Sequence, residues 1–301
     1  MSNNETIGFI GLGVMGGPMC ANMAQKHGGK VLAFDLSEAA LAAVEEAGAE
    51  RVGSVAALAG EADVIFLSLP GGPQVEAVAG EIAKVSGRCS LVVDLSTTPV
   101  ATARKVAANL AGHGIDFADA PVARTREAAR KGALAIMVGA SDAVYARIRS
   151  MLDYIATDVT HGGDVGAGQV LKLVNNMLVF ANTVALAEMM VLGEKAGVAP
   201  DVLLDAVSKG SGDSFVLRNH GLKAMLPREF PDKAFSPEYV LKDISYVFEL
   251  AEQAGVALPS ADAARRYYEV ATTTDLSGRY FPGVIELVER GVMSGDTGEE
   301  A

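Results

Sequence analysis

The spacing of apolar and polar positions divides the chain into two textures. From Thr6 to about Thr160, short and nearly unbroken apolar runs alternate with alanine-rich stretches of helical periodicity. The runs at 7–10, 31–34, 64–69, 91–95, 115–118 and 134–138 read as strands. Unbroken apolar strands, rather than alternating ones, are what a parallel sheet covered on both faces requires. Strand, crossover helix and strand in repetition predict a doubly wound α/β sheet. After Gly162-Gly163 the strand signal stops, and helices are predicted over roughly 166–196, 200–209, 213–225, 237–254, 260–274 and 281–292. The expected organisation is an α/β domain over 1–162, an all-helical domain over 163–293 and a short, frayed acidic tail over 294–301. The first helix of the second half ends before Gly197 and Pro200, a good helix stop. Being apolar nearly all round, it is expected to be buried by a partner subunit as well as by its own domain.

Composition narrows the function classes. The chain has 301 residues, half of them hydrophobic, so a substantial core is expected. Its formal charge of −12 repels phosphate backbones and acidic lipid, which argues against nucleic-acid or membrane-surface partners. The apolar stretch at 170–192 carries Lys172, Asn175, Asn176, Asn182 and Glu188, side chains too costly for lipid. Two cysteines, Cys20 and Cys89, without a CxxC spacing fit a reducing compartment, and the polar start of the chain shows no export signal. A cytoplasmic protein is expected.

The segment Gly11-Leu12-Gly13-Val14-Met15-Gly16 carries G-x-G-x-x-G between the first strand and a helix. In that context Gly11 permits a tight turn, Gly13 lets backbone approach a pyrophosphate, and Gly16 lets helix pack on strand. Orphan N–H groups of the helix N-terminus then face the phosphates. Asp35 ends the second strand, about 20 residues on, where a carboxylate accepts bonds from an adenosine ribose and repels a 2′-phosphate. Leu36, Ser37 and Glu38 bring no Arg for such a phosphate, so NAD is expected over NADP. Asp35 is also placed to N-cap the next helix. The fold so predicted is a Rossmann-type doubly wound parallel sheet followed by an all-α C-terminal domain.

The most unusual constellation is Lys172 and Asn176, spaced i, i+4 on one helical face, with Asn175 beside them. A Lys among Leu171, Leu173 and Val174 either snorkels to water or points into a polar cleft. A dehydrogenase needs one group to move the hydroxyl proton while hydride leaves for the nicotinamide, and a desolvated lysine suits that task. Asn176 then holds the reacting oxygen.

Together with these, Asp119-Ala-Pro-Val-Ala-Arg-Thr, Gly132 to Gly139, Lys172-Leu-Val-Asn-Asn and Leu241-Lys242-Asp243 follow in order. Over residues 6–290 the chain resembles the 3-hydroxyisobutyrate dehydrogenase branch of the β-hydroxyacid dehydrogenases, in the 6-phosphogluconate dehydrogenase NAD-binding superfamily. The resemblance implies that Lys172 is the catalytic lysine and Asn176 the substrate-orienting asparagine. It places the glycine turn (Gly11, Leu12, Gly13, Val14, Met15, Gly16), Asp35, Leu69, Pro70, Thr97 and Lys242 against the dinucleotide. It also implies a homodimer or homotetramer assembled through the helical half.

One loop departs from that pattern. Where most relatives read Ser-Gly-Gly after Asp-x-Pro-Val, this chain has Ala123-Arg124-Thr125. An Arg fork suits a carboxylate, phosphonate or sulfonate, and the loop resembles that of sulfolactaldehyde reductases. Ala123, Arg124 and Thr125 are therefore expected to grip the anionic end of a small hydroxyacid or aldehyde substrate, with Arg124 as a plain surface charge the competing reading. Among other classes, none of the 7 tyrosines has Lys at +4, which argues against a short-chain dehydrogenase. The histidines are dispersed, so no metal site is expected. An imine reductase would usually lack the lysine, and a non-catalytic dinucleotide-binding protein has no reason to keep Lys172, Asn176 and Lys242 together. The expected reaction is NAD-dependent interconversion of a 3-hydroxyisobutyrate-like β-hydroxyacid and its semialdehyde, with reduction of an anionic aldehyde such as sulfolactaldehyde or tartronate semialdehyde as the alternative.

Overall fold

The computed structural model describes residues 5–232 and 234–294; beyond Ser294, the acidic tail lies outside the described residues. The chain packs as two compact units, one running through Lys172 and one from Leu173 onward. In the first, strands and helices alternate as β1 (Ile7–Ile10), α1 (Gly16–Lys26), β2 (Val31–Phe34), α2 (Glu38–Glu45), β3 (Glu50–Arg51) and α3 (Val55–Glu61). There follow β4 (Val64–Leu67), α4 (Gly72–Ile82), β5 (Leu91–Asp94), α5 (Val100–Ala111) and β6 (Asp116–Asp119). The unit is completed by β7 (Val122–Ala123), α6 (Arg126–Lys131), β8 (Leu134–Gly139), α7 (Asp142–Leu152) and β9 (Ala156–Gly163), and the long α8 (Ala167–Lys195) begins there.

Strands β3, β2, β1, β4, β5 and β6 lie side by side in that order, all parallel. Strand order reverses at β1, which separates β2 from β4, and ligands of open α/β sheets bind at such a switch point. Successive residues feed opposite layers. Ile7 and Phe9 pack with Met19 and Met23 of α1 and Ile148 of α7, while Ile10 joins Leu58, Val75 and Ala103 from α3, α4 and α5. Burial on both faces is why these strands are apolar at every position.

The far side of the sheet is mixed. β8 runs antiparallel to β6 and β7, Asp119 standing opposite Gly139 and Val122 opposite Ile136, and β9 pairs parallel with β8. β9 escapes the sequence pattern because, after the buried Ala156, its residues are partly or fully exposed and its sequence carries no apolar run.

The second unit is helical. It contains the rest of α8, then α9 (Pro200–Ser208), a π-helical stretch at Leu217–Met225, α10 (Pro237–Ala254) and α11 (Pro259–Thr272). The helix expected at 281–292 is a 3-10 turn, Phe281–Val284, leading into the short α12 (Ile285–Glu289). Prolines 200, 237 and 259 open their helices, where a missing N–H costs nothing. Phe180, Phe235, Tyr268 and Phe281 form an aromatic cluster with ring centroids about 6 Å apart.

Candidate active site

The chain leaves β1 through Gly11 at φ +93°, backbone that a side chain adopts only at a cost. A Cβ on Gly11 would lie 2.2 Å from the Ser68 carbonyl oxygen, and one on Gly16 would lie 2.0 Å from that of Gly11. Both glycines therefore serve packing. Gly13 differs: it is exposed, and a Cβ there would meet no protein atom within 4 Å. The missing side chain keeps open the ground before α1, whose N-cap residue Met15 makes no side-chain bond to the first turn. A cradle of bare backbone at a helix N-terminus fits a dinucleotide pyrophosphate. Leu12 is buried beneath it, and Val14 is exposed beside it.

Asp35 ties the second strand to this turn. Its Oδ2 accepts from the Leu12 N–H at 2.6 Å and its Oδ1 from the Ser37 N–H at 2.8 Å. The cap of α2 is Ser37, which accepts from Ala40 N–H, so Asp35 is not the capping residue. Each carboxylate oxygen has further acceptor capacity for ribose hydroxyls.

On the other side of β1, Leu69 and Pro70 follow β4, and the Leu69 N–H donates to Ser96 Oγ at 2.9 Å. Thr97 sits half-buried at the crest of the turn after β5. Asp94 braces that turn by accepting from the Ser96 N–H at 2.9 Å and the Thr98 hydroxyl at 2.8 Å. Burial pushes the Asp94 carboxyl up to about 6 in spite of these donors.

The start of α8 sits on the ends of β5 and β6. Asp119 Oδ1 accepts from the Gly166 N–H at 2.6 Å and Oδ2 from the Gln169 N–H at 2.8 Å. The Gln169 side chain accepts from the Thr98 N–H at 3.0 Å and donates to the Ser96 carbonyl at 2.9 Å. Lys172, half-buried, follows one turn later.

Asn176, a turn beyond Lys172, belongs to the second unit. It is buried, and its Nδ2 donates to Asp243 Oδ2 at 2.7 Å while its Oδ1 accepts from Asn175 Nδ2 at 3.2 Å. Lys242 Nζ stands 3.1 Å from Asp243 Oδ1 and 5.3 Å from the centre of the Tyr246 ring. Asn175, Asn176, Asp243 and Lys242 thus form one connected polar chain.

In the loop expected to meet the substrate, Ala123 pairs with Ala135 and Thr125 N-caps α6 by accepting from the Ala128 N–H. Arg124 holds positive φ, +88°, without being glycine. Its guanidinium donates to the Ala133 carbonyl at 2.9 Å, Thr157 Oγ1 at 2.8 Å and Asp158 Oδ2 at 2.7 Å. The fork expected to meet an anion is thus turned toward the β8 and β9 edge. Bonds from Thr157 and then Arg124 hold the Asp158 carboxyl below its usual range.

Asp119, Gln169, Ser96 and Asp243 were not singled out from the sequence. Asp119 and Asp243 lie inside segments that carried the family resemblance, but nothing in their spacing told what they bond. Among the described residues no group of three or more His, Cys, Asp or Glu side chains is placed to hold a metal ion. Burial pushes the Cys20 thiol up to about 12 and the Cys89 thiol up to about 11, so neither is a nucleophile at neutral pH.

A Rossmann-type sheet with an open glycine cradle, leading into a lysine-bearing helix, defines an NAD(P)-dependent dehydrogenase. Residues 6–163 match the family model of the NAD binding domain of 6-phosphogluconate dehydrogenase. Residues 166–288 match that of the NAD-binding region of NADP-dependent 3-hydroxyisobutyrate dehydrogenase. The chain is 36% identical over 293 residues to 2-(hydroxymethyl)glutarate dehydrogenase of Eubacterium barkeri, covering 96% of this chain and 97% of that one. It is 34% identical over 278 residues to 3-hydroxyisobutyrate dehydrogenase of Pseudomonas aeruginosa, covering 89% and 93%. The structure of Mycobacterium tuberculosis 3-hydroxyisobutyrate dehydrogenase with L-serine matches with a TM-score of 0.86 at 28% identity, over 94% of this chain and 99% of that one. The chain belongs to the β-hydroxyacid dehydrogenase family. It is an NAD(P)-dependent enzyme acting on small hydroxy acids.

Proposed function

We propose that this enzyme uses NAD to interconvert a small β-hydroxyacid and its semialdehyde, with Lys172 relaying the proton and Asn176 orienting the reacting oxygen. The observation that carries the reading is the fixed amide of Asn176, one helical turn from Lys172. Asp243 takes one Nδ2 proton and Asn175 fills Oδ1, which fixes which way the amide points. In this reading the second Nδ2 proton donates to a substrate oxygen. The bound nicotinamide supplies the hydride acceptor. Lys172, as the neutral amine, takes the hydroxyl proton as the C–H bond breaks; in the reverse direction its ammonium returns that proton to the aldehyde oxygen.

Asp35 supports NAD over NADP, because a carboxylate ending the second strand of such a sheet accepts from the adenosine ribose and repels a 2′-phosphate. Arg51, on the neighbouring β3, is held by Glu38 at 2.8 Å and Glu45 at 2.6 Å, which neutralise that cation. The anionic end of the substrate is assigned to the loop Ala123-Arg124-Thr125. There the Arg124 side chain fixes the loop's shape through Ala133, Thr157 and Asp158. A second reading, reduction of an anionic aldehyde such as sulfolactaldehyde or tartronate semialdehyde, rests on the loop's sequence resemblance and not on the guanidinium, which bonds within the fold.

The test is an NAD-coupled screen of 3-hydroxyisobutyrate, 2-(hydroxymethyl)glutarate, serine, 4-hydroxybutyrate, tartronate semialdehyde and sulfolactaldehyde. Lys172→Ala is expected to lower kcat about 100-fold or more with NADH binding unchanged. Turnover near that of the parent would mean that the proton travels by another route.

A second copy of the chain is proposed to cover α8. Val174, Leu178, Met189 and Leu192 are each at least half exposed along one face of that helix. An apolar stripe running nearly its whole length suits pairing with itself about a two-fold axis. Leu178→Glu is expected to lower the particle mass measured by light scattering. An unchanged mass would remove the stripe from the interface.

A further inference from the structure

The first turn of an α-helix normally leaves its N–H groups to a local cap or to water. At the start of α8 the N–H of Gly166, just before the helix, and that of Gln169, in its first turn, are both taken by Asp119, a residue 47 and 50 positions away at the end of β6. Three positions before Lys172, the buried Gln169 side chain spans the turn after β5, accepting from Thr98 and donating to Ser96. Asp94 grips the same turn from beneath through the Ser96 N–H and the Thr98 hydroxyl.

The backbone around this junction is cleared for close approach. A Cβ on Gly139 would lie 2.5 Å from Asp119 Oδ1, and one on Gly168 would lie 2.4 Å from the Met137 carbonyl oxygen. Strand ends and helix start therefore meet only because both positions lack a side chain. Building it also carries a cost: burial raises the carboxyls of Asp94 and Asp119 alike, to about 6.

We propose that Asp119 and Gln169 are positioning residues, which lock the first turn of α8 to the ends of β5 and β6 and thereby set where Lys172 stands relative to the turn carrying Thr97. The proposal rests on the reading of Lys172 as proton relay. Its physical content is that a displaced relay group slows proton transfer steeply, while the phosphate cradle at α1, built by other residues, is untouched.

Gln169→Leu keeps the volume and removes both side-chain bonds. Asp119→Asn leaves one acceptor oxygen and turns a donor toward an N–H. Each would be compared with Lys172→Ala, using NAD and the acid of the panel above that the parent oxidises fastest. NADH binding would be read from the coenzyme's own fluorescence, and amide hydrogen exchange followed over residues 164–176. Gln169→Leu is expected to lower kcat about 10-fold or more, with a larger primary isotope effect for substrate deuterated at the reacting carbon. Its NADH dissociation constant is expected to stay within about 3-fold of the parent. In Asp119→Asn the amides of the first turn are expected to exchange about 10-fold faster. If Asp119→Asn does not fold, Gln169→Leu decides alone, with first-turn exchange read on it.

Parental kcat in folded Gln169→Leu overturns the proposal, as does a kcat loss no greater than the loss of NADH affinity, or first-turn exchange unchanged in both variants. If Lys172→Ala keeps its turnover, the proton-relay reading falls and the proposal with it. If Lys172→Ala loses turnover and Gln169→Leu does not, only the proposal falls.

Discussion

Replacing Arg124 by glycine and by alanine separates what its backbone costs from what its side chain contributes. The residue sits at φ +88°, where an L-residue is disfavoured by roughly 1–2 kcal/mol. Glycine escapes that term but loses roughly 0.5–1 kcal/mol more chain freedom on folding. Both variants lose the same guanidinium bonds to Ala133, Thr157 and Asp158, so those contributions cancel in the comparison. Arg124→Gly is therefore expected to be more stable than Arg124→Ala by about 0.5–1 kcal/mol. For a unit of this size that amounts to roughly 2–4 °C in Tm per kcal/mol. The chain has no tryptophan, so far-UV circular dichroism during urea and thermal unfolding is the suitable probe. An alanine variant as stable as the glycine variant, or more so, would refute the reasoning: the backbone would then relax out of positive φ once the guanidinium is gone.

Two further outcomes follow from the geometry. Asp35→Ala removes the carboxylate that anchors the Leu12 N–H, so NADH affinity should fall by about 10-fold or more. NADPH affinity should change less or rise, and equal losses for both coenzymes in a binding titration would show that Asp35 does not read the ribose. His220 is buried against Tyr280, and burial first, then Lys223, holds its imidazole down to about 4. The unfolded chain then binds the extra proton between about 6.5 and 4. The stability contributed by neutral His220 is complete above that window and is lost as pH falls through it, by up to about 3 kcal/mol. Asp94 and Asp119, raised to about 6, titrate in part of this range with the opposite sign. They are common to the parent and to His220→Gln, so the difference between the two Tm–pH curves isolates the histidine, and parallel curves would contradict the assignment.

The parts of the fold that show in the sequence are those in which burial is uniform. β1, β4 and β5 bury all their residues, so each appears as an unbroken apolar run. β9 has the same backbone pairing to offer but only one neighbour, and its exposed Thr, Asp and His side chains hide it. The antiparallel turn of the sheet at β8 was invisible for a different reason. Strand direction is set by the link through β7 and α6, and no periodicity records it.

The same distinction explains the site. Lys172 and Arg124 both stood out as cations in unexpected places, and sequence could not tell a charge held for chemistry from one held for shape. What separates them is how each is held. The guanidinium of Arg124 meets acceptors 9, 33 and 34 positions away that keep a strained loop in place. Lys172 instead rides on a helix whose first turn is fastened by Asp119 and Gln169 across 47 to 73 positions. Such long-range bonds leave no local pattern, because a carboxylate that caps a distant helix looks like any other acid at a strand end. The motif names the group to which we assign the chemistry. The bonds that hold it there are spread over the strand ends and are seen only once the sheet is assembled.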